Sequence, residues 1–480
     1  MREGPAPKGP FDVAVVGAGV VGSAIARELT LAGASCVLVE AGPDVGAGTS
    51  KANTAILHTG FDAKPGTIES RLLPRGYERL KAYAAEVGIP TAVTGALLVA
   101  WTPEQRDALA EVKSTAEENG YLDARVVETE ELYAREPALG PGAQGALEIP
   151  DEGIICPFTA TLAMASEAVT AGCELVLGAR VAGVKRGVRF ELGTERGPIS
   201  ARYLVNAAGL HSDEIDAMAG HGEFTVRPRR GELIVFDKLA RPLVNHILLP
   251  VPTAKTKGVL VSPTVYGNVL LGPTADDVDS KVDRSTTAGG LRSLLADGER
   301  ILPRLAEHEV TATYVGLRAA TEERDYQLRI HPEERYACAG GIRSTGVSGS
   351  MAIAEHVREG LAAAGLELSA GPAAGSTGLR MPNIGEFAPR PYQREELIAG
   401  DSDFGRIVCF CERVTRGELA EAMESPIPPA DLDGLRRRTR ALMGRCQGFF
   451  CAAELAAGLA EKRGTSVAEV LGTPGNEQPG

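Results

Sequence analysis

Four cysteines near the C-terminus have the residue type and spacing to bind a metal. Cys409 and Cys411 flank one phenylalanine, and Cys446 and Cys451 enclose the sequence Gln-Gly-Phe-Phe. Thiolates are soft ligands, and four that converge favour zinc or an iron–sulfur cluster. Structural zinc usually takes cysteines separated by two to four residues, so a Cys-x-Cys pair is atypical of it. A two-iron cluster takes two thiolates per iron. The spacing alone leaves both metals open.

A glycine pattern near the N-terminus is typical of dinucleotide binding. Residues 12–16 are predicted to form a β-strand, and Gly17, Gly19 and Gly22 follow in GxGxxG spacing. These glycines permit a tight turn, a close approach to a pyrophosphate and close packing of the next helix. Glu40 ends the next predicted strand, where it can accept a hydrogen bond from a ribose hydroxyl and disfavours NADP. The fingerprint leaves NAD and FAD open.

Three later segments favour FAD. A polar loop at 49–58 ends in His58, and residues 203–209 are predicted to form a strand that ends on small residues. A glycine-rich turn at 340–348 precedes a helix predicted at 351–364. The N-terminus of such a helix would stabilise the electron density that a flavin ring gains on reduction.

Length, charge and composition limit the class of protein that carries these sites. The 480 residues predict two or three domains, and the net charge of −13 argues against nonspecific binding of nucleic acid. No segment reaches the ~18 uncharged apolar residues of a membrane span. The other cysteines, Cys36, Cys156, Cys173 and Cys338, are predicted to be reduced core residues, so we expect a cytoplasmic protein.

The first 365 residues resemble the D-amino-acid-oxidase-like flavoproteins. Within them, the likeness is closest to FAD-dependent glycerol-3-phosphate dehydrogenases and 2-hydroxyglutarate oxidoreductases. It rests on the stretches 50–61, 227–232, 258–264, 316–318 and 341–346. The resemblance implies an α/β fold with a Rossmann-type FAD-binding domain and an interleaved mixed-sheet substrate domain. We expect FAD-binding parts at about 10–85, 150–215 and 331–365, and substrate-domain parts at about 86–149 and 216–330.

The C-terminal part resembles the iron–sulfur domain of bacterioferritin-associated ferredoxin. The stretch 434–448 carries this likeness. It implies a small all-α module at 404–465, after a linker at 366–403 and before a tail at 466–480. Its four cysteines would then bind a 2Fe–2S cluster. Helices are predicted at 416–423 behind the cap Thr415, from Asp431 to Arg445, and at 452–462.

Five arginines of the module, Arg436, Arg437, Arg438, Arg440 and Arg445, could offset the negative charge of a four-thiolate cluster. The alternatives are that they form a solvated helix face or dock an acidic partner. The sequence does not decide between these interpretations.

The flavoprotein resemblance also implies catalytic residues. It places His58 on the reactive side of the flavin, where an imidazole suits a general base. It places Arg318 and Arg343 against an anionic substrate, because a guanidinium matches phosphate or carboxylate bidentately. Lys257 also resembles a substrate-binding position. From residue types alone, a structural histidine, surface ion pairs and a solvent-facing lysine are the alternatives.

Cofactor contacts follow from the same resemblance. The implied FAD-binding residues are Gly17, Gly19, Val20, Val21, Gly22, Glu40, Ser50, Asn53, Val181, Ala208, Gly209, Gly341, Gly346, Val347 and Ser348.

The resemblance implies an enzyme that oxidises a small anionic alcohol, with glycerol 3-phosphate as the expected substrate. Electrons would leave FAD through the cluster to a quinone or a partner protein in a hetero-oligomer. We expect contact with the inner face of the membrane to be peripheral. A 2-hydroxy-acid or opine-like amino-acid dehydrogenase is the alternative within this class. A noncatalytic electron-transfer protein is the alternative outside it, although such a protein needs no substrate clamp.

Overall fold

The computed structural model describes residues 9–252, 258–369 and 377–471, so Lys257 lies outside the described residues. No helix in these ranges combines the length and the apolar character needed to cross a bilayer. The strands are β1 (Phe11–Val16), β2 (Cys36–Val39), β3 (Ile56–Leu57), β4 (Thr91–Val93), β5 (Ala96–Val99), β6 (Arg125–Val127), β7 (Ala146–Ile149), β8 (Gly153–Ile155), β9 (Glu174–Val176), β10 (Val181–Arg186), β11 (Phe190–Thr194), β12 (Gly197–Asn206), β13 (Arg227–Phe236), β14 (Ile247–Pro250), β15 (Leu260–Pro263), β16 (Val269–Gly272), β17 (Asp276–Asp277), β18 (Val310–Ala320), β19 (Gln327–His331), β20 (Tyr336–Gly340), β21 (Ile407–Cys409) and β22 (Val414–Thr415). The helices are α1 (Val20–Leu31), α2 (Ile68–Val87), α3 (Pro103–Glu118), α4 (Thr129–Arg135), α5 (Pro157–Thr170), α6 (Ser212–Met218), α7 (Ala288–Ile301), α8 (Gly346–Ala363), α9 (Glu395–Gly400), α10 (Arg416–Glu424), α11 (Leu432–Thr439), α12 (Ala452–Arg463) and α13 (Val467–Leu471).

The first sheet holds the N-terminal fingerprint. Its strand order is β10-β11-β12-β1-β2-β9, with β20 also on β12 and β19 on β20. The neighbours β12, β1, β2 and β9 are parallel, and the residues of β2 are all buried. Helices α1, α5 and α8 supply much of the core against this sheet, which explains the continuous apolar strands. The predicted strand, turn, helix and second strand are confirmed.

The second sheet is mixed. Its order is β17-β13-β16-β15-β14-β5-β7-β6, with β18 on β13, and only β14 and β5 run parallel among these neighbours. Strands β15 and β16 form an antiparallel hairpin, in which Thr264 N donates to Asn268 O at 2.9 Å. The chain alternates between the two sheets, as the predicted interleaving requires. The exact domain bounds stay a prediction, and β19 pairs in the first sheet although most of its residues precede 331.

The cysteine module contains the predicted helices and one element that was not predicted. Strands β21 and β22 form a short antiparallel ribbon, so the module is not purely helical. Helix α10 begins behind Thr415, whose side chain forms a capping box with Glu418. Helix α11 ends at Thr439 rather than near Arg445. Arg440 adopts a left-handed conformation with φ of 75°, and its N–H bonds back to Arg436 O at 2.8 Å, which closes the helix.

The described parts of the predicted linker, 366–369 and 377–403, pack against both neighbouring units. Met381 N donates to Val87 O at 2.7 Å, and Arg390 is 1% exposed and pairs with Glu418 at 3.0 Å. The segment also contains α9. Its described residues are therefore held against the neighbouring units.

Candidate functional site

The loop at 49–58 connects the two helix N-termini of the predicted flavin site. Ser50 Oγ accepts a hydrogen bond from Val20 N at 2.9 Å, in the first turn of α1. At the other end of the loop, His58 N donates to Ser348 Oγ at 2.8 Å, in the first turn of α8. One polar loop therefore positions the pyrophosphate-binding helix, the second helix N-terminus and the predicted base together.

Two of the fingerprint glycines, Gly17 and Gly22, leave no room for a side chain. Gly17 has φ of 102°, and a Cβ there would lie 2.4 Å from Ala207 O. A Cβ on Gly22 would lie 1.8 Å from Gly17 O. Glu40 Oε2 accepts from Ala18 N at 2.8 Å, which holds the acidic side chain beside the turn. The bare turn and the orphan N–H groups at the start of α1 fit a dinucleotide pyrophosphate.

The remaining predicted FAD contacts surround this turn and α8. Asn53 lies in the 49–58 loop, Ala208 and Gly209 follow β12, and Gly341 opens the turn before α8 with φ of 60°. Gly346 and Val347 begin α8. Val181 starts β10 with its side chain in the core of the first sheet, so only its backbone can face a ligand. These individual roles stay predictions.

A buried carboxylate that sequence reasoning missed holds the predicted base. Glu152 is 0% exposed, and its Oε2 lies 3.1 Å from His58 Nδ1. Its Oε1 accepts from Thr59 N at 2.7 Å and from Thr59 Oγ1 at 2.8 Å. Oε2 makes no aligned hydrogen bond among the described residues, but its negative charge favours a proton on the adjacent Nδ1, which makes Nε2 the basic atom. The pairing of β3 with β8 brings these residues together. No local sequence pattern predicts this contact.

Three arginines gather at the end of β18. Arg318 lies directly opposite Arg229 of β13, and Arg343 lies in the turn before α8. Burial, together with the charges of Arg229 and Arg343, lowers the pKa of Arg318 to about 10. Burial and the charges of Arg229 and Arg324 also lower the pKa of Arg343. Like charges in opposite positions destabilise a sheet, so this arrangement favours a site for an anion.

The carboxylates near these arginines do not neutralise them. Arg229 reaches Asp277 at 3.4 Å, whereas Arg318 and Arg343 form no ion pair with any carboxylate of the described residues. Arg229 is not among the residues selected from the sequence, although it lies in one of the family-like stretches. The signal that identifies it is its register opposite Arg318, which only the folded sheet provides.

Strand β18 packs directly on the 49–58 loop. Thr49 Oγ1 donates to Leu317 O at 2.9 Å, and a Cβ on Gly316 would lie 2.1 Å from Ala52 O. This close contact requires glycine at 316. It places the strand that carries Arg318 against the loop that ends in His58.

The four cysteines converge as two pairs. All are free thiols; the thiol of Cys411 hydrogen-bonds to Cys446, and that of Cys451 to Cys409. Burial and then the neighbouring Cys409 raise the pKa of Cys451 to about 12. In contrast, backbone N–H groups, first that of Phe450, lower the pKa of Cys446. The donor set is therefore four sulfurs, and backbone N–H groups also donate to Cys411 and Cys451.

The spread of these sulfurs distinguishes the two candidate metals. A single tetrahedral zinc with bonds of about 2.3 Å would hold its sulfurs about 3.8 Å apart. Across the described ranges, the one group of three ligand-type side chains whose donor atoms lie within 4.8 Å of one another contains no cysteine. A two-iron cluster takes two thiolates per iron, so its four sulfurs need not surround a single ion. The residues therefore fit a 2Fe–2S cluster better than zinc.

The arginines of the module hold it to the FAD-binding region rather than serve the cluster alone. Asp44 is 0% exposed, and both its oxygens bind Arg438, at 2.7 and 2.8 Å, while Arg437 reaches it at 2.6 Å. Lys51 pairs with Asp433 at 2.8 Å. A buried carboxylate needs such partners. Ion pairs with Asp433, Glu412 and Asp237 engage the other three arginines, namely Arg436, Arg440 and Arg445. The acidic partner thus lies within the chain.

Known families match the N-terminal and the C-terminal parts of the chain. Residues 12–359 match the family described as FAD dependent oxidoreductase, and residues 407–461 match the BFD-like 2Fe-2S binding domain. The chain is 32% identical over 462 residues to the glycerol 3-phosphate dehydrogenase of Caloramator mitchellensis, with 96% of each protein covered.

Two further relatives extend the comparison. One is a component of the anaerobic glycerol-3-phosphate dehydrogenase of Escherichia coli K12, to which the chain is 28% identical over 495 residues, with 94% of this chain and 88% of that protein covered. The other is the dithionite-reduced L-alpha-glycerophosphate oxidase of Mycoplasma pneumoniae, solved with FAD bound. It has a TM-score of 0.72 and 26% identity and covers 78% of this chain and 99% of that one.

Proposed function

The chain belongs to the FAD dependent oxidoreductase family, and on that premise we propose that it oxidises glycerol 3-phosphate to dihydroxyacetone phosphate. The predicted fold class, the enzyme class and both cofactors, FAD and a 2Fe–2S cluster, are confirmed by the family matches. The observation that carries the substrate class is the pair Arg318 and Arg343, which lie beside Arg229 without a carboxylate partner in the described chain.

The arginines would bind the phosphate group. At neutral pH the guanidinium of Arg318 stays charged even with a pKa of about 10. A phosphate dianion offers three acceptor oxygens and two negative charges to the cluster. Each carboxylate of a 2-hydroxy acid offers two oxygens and one charge, so one phosphate group places more negative charge against the arginines than either carboxylate of 2-hydroxyglutarate does. This balance favours a phosphate ester over a 2-hydroxy acid.

His58 would accept the proton of the substrate hydroxyl. Nε2 is the basic atom because the Glu152 carboxylate lies 3.1 Å from Nδ1. The same buried carboxylate would stabilise the imidazolium that forms, so Glu152 is a positioning residue. When bound, FAD supplies a hydride acceptor for the substrate carbon and the 2Fe–2S cluster supplies one-electron transfer.

We further propose that electrons leave through the cysteine module to a protein acceptor. The exposed aromatic rings of the module lie inside the cysteine segments, with Phe410 70%, Phe449 85% and Phe450 70% exposed. Exposed apolar groups of this kind mark interaction surfaces, and aromatic residues are enriched at interface cores. Arg406 and Arg445 flank the same segments and are more than half exposed, and Glu454 and Asp237 of this chain pair with them.

A protein acceptor also agrees with the name of the E. coli relative, which is that of one component of a larger enzyme. We therefore propose a hetero-oligomer in the cytoplasm, with a quinone reached through the partner and peripheral contact with the membrane. A chain that reduces a soluble quinone analogue at full rate without any other protein would contradict this part of the proposal.

Anaerobic addition of candidate substrates tests the function. We expect glycerol 3-phosphate to bleach the flavin absorbance, and L-2-hydroxyglutarate and amino acids to leave it unchanged. The second candidate, a 2-hydroxy-acid dehydrogenase, is favoured by the L-2-hydroxyglutarate dehydrogenase of Indibacter alkaliphilus, which is 28% identical over 55% of this chain. Bleaching by that acid alone would select it, and no bleaching by any compound would favour a noncatalytic relay.

A further inference from the structure

A second group of ligand-type side chains lies at the edge of the first sheet. His221 follows α6, Glu223 lies two residues later, and His331 ends β19. One donor atom from each lies within 4.8 Å of the others, and the two imidazole rings are 4.0 Å apart. We propose that this group binds a divalent cation of the zinc class, independently of the flavin and of the cysteines.

The imidazoles have nitrogens available for a ligand. The side chain of His221 is 9% exposed, and its Nε2 is buried without an aligned hydrogen bond, 3.2 Å from Glu334 Oε2. Nε2 of His331 is also buried and has no hydrogen-bond partner within the described chain. A buried polar atom normally has a partner. Two imidazoles and a glutamate are a donor set that zinc accepts.

Two arginines now neutralise the carboxylates of the site. Arg329 binds Glu223 and Arg186 binds Glu334. Their side chains are 26% and 48% exposed, so each can turn into solvent on its long stem. A bound cation would take over the charge that these arginines supply. Arg329 is therefore a competitor, and its removal should tighten the binding of the cation.

The site would tie a loop to the strand next to it. Asp216 accepts hydrogen bonds from Gly222 N at 3.0 Å, from Glu223 N at 3.2 Å and from Tyr336 Oη at 2.9 Å. The ring of His331 stacks on Tyr336 at 5.7 Å. A cation bound by the two histidines and Glu223 would add a second link between the loop after α6 and strands β19 and β20. Its expected role is to stabilise the fold, because a ligand that binds only the folded state raises stability.

Titration of chelator-treated holoprotein with Zn²⁺ tests the proposal. We expect wild-type protein to bind one ion by calorimetry and to gain thermal stability, while the visible absorbance shows that flavin and cluster remain. His331→Asn should weaken binding more than tenfold, and Arg329→Gln should tighten it. Both variants keep the flavin spectrum as a check on folding.

His211→Asn is the matched control. His211 lies 2.9 Å from Glu214 but has no second imidazole beside it, so its loss should leave zinc binding unchanged. Equal binding by wild type, His331→Asn and Arg329→Gln would mean an adventitious ion only and would overturn the proposal. Absence of binding to the wild type would overturn it as well.

Discussion

Arginines serve opposite purposes in two regions of this molecule. At the contact between the FAD-binding region and the cysteine module, Arg437 and Arg438 surround the fully buried Asp44. At the flavin end, Arg318 and Arg343 crowd together, and no described carboxylate pairs with either. The first region has its charges matched within the chain, and the second keeps cationic charge available.

The difference teaches that the carboxylate, not the arginine, distinguishes a structural contact from a ligand site. A buried charge is tolerated when it is paired and hydrogen-bonded. A group of like charges in a partly buried position is destabilising by itself, and such arrangements cluster at functional sites. The buried carboxylate of Glu152 lies beside His58 instead.

The largest expected effect is at the contact of Asp44 with Arg437 and Arg438. Asp44→Asn leaves the buried guanidinium of Arg438 without its anion and leaves Arg437 with Asp433 alone. Removing one partner of a buried ion pair costs about 3–5 kcal/mol. We expect the cysteine module to unfold or detach at lower temperature, and substrate to reduce the cluster more slowly while it reduces the flavin at the normal rate. Calorimetry and rapid-mixing absorbance measure the two effects.

Asp12→Asn is the control for that variant. Asp12 pairs with Arg202 at 3.2 Å, but both side chains are about one-third exposed, so little stability should be lost. Equal stability of Asp44→Asn and Asp12→Asn would show that the Asp44 contact does not hold the module.

The next largest effect is expected at Arg318 and Arg343. Arg318→Ala should lower kcat/KM for glycerol 3-phosphate by roughly 100- to 1,000-fold, as expected when a charged partner of a bound anion is removed. The FAD content should not change. Arg230→Ala is the matched control, since Arg230 is next to Arg229 on β13 but lies near Glu232 and Asp276. Loss of FAD from Arg318→Ala would instead mean that Arg318 holds the cofactor.

A smaller effect is expected from the positioning carboxylate. Glu152→Gln keeps the size of the side chain but removes the charge beside His58 Nδ1, so kcat should fall by roughly 10- to 100-fold, the usual range for residues that orient a functional imidazole. KM should change little, because the arginines still bind the phosphate. Steady-state kinetics separate the two constants. A change in KM alone would place Glu152 at the substrate-binding group instead.

The smallest effect is a dependence on pH. The pKa of Arg318 is lowered to about 10 by burial and neighbouring positive charge, so the guanidinium is charged below that pH and neutral above it. Titration of Arg318 should leave kcat/KM unchanged well below pH 10 and should lower it as the pH rises through about 10. In Arg318→Ala this fall should be absent. An identical alkaline fall in the variant would assign it to another group.

Local features of the fold could be predicted from the sequence. The glycine fingerprint marked the turn between β1 and α1, and the predicted cap Thr415 begins α10 with a side-chain hydrogen bond. These features depend on neighbours a few residues apart. The end of α11 could not be predicted, because nothing in the residue type of Arg440 requires its left-handed conformation.

The missed residues depend on contacts between distant segments. Glu152 reaches His58 through a strand pair, Arg229 faces Arg318 through a sheet register, and Asp44 meets Arg438 394 positions later. Hydrophobic periodicity carries no information on such pairings. The role of the module arginines was therefore open in the sequence, and the fold assigns two of them to Asp44.

Anaerobic mixing of the intact protein with glycerol 3-phosphate tests the central claim most directly, if flavin absorbance and the EPR signal of the reduced cluster are followed together. The account predicts that the flavin bleaches and that the cluster signal then appears in the same sample. A cluster that stays oxidised while the flavin remains reduced would contradict the electron path, and a flavin that never bleaches would contradict the substrate.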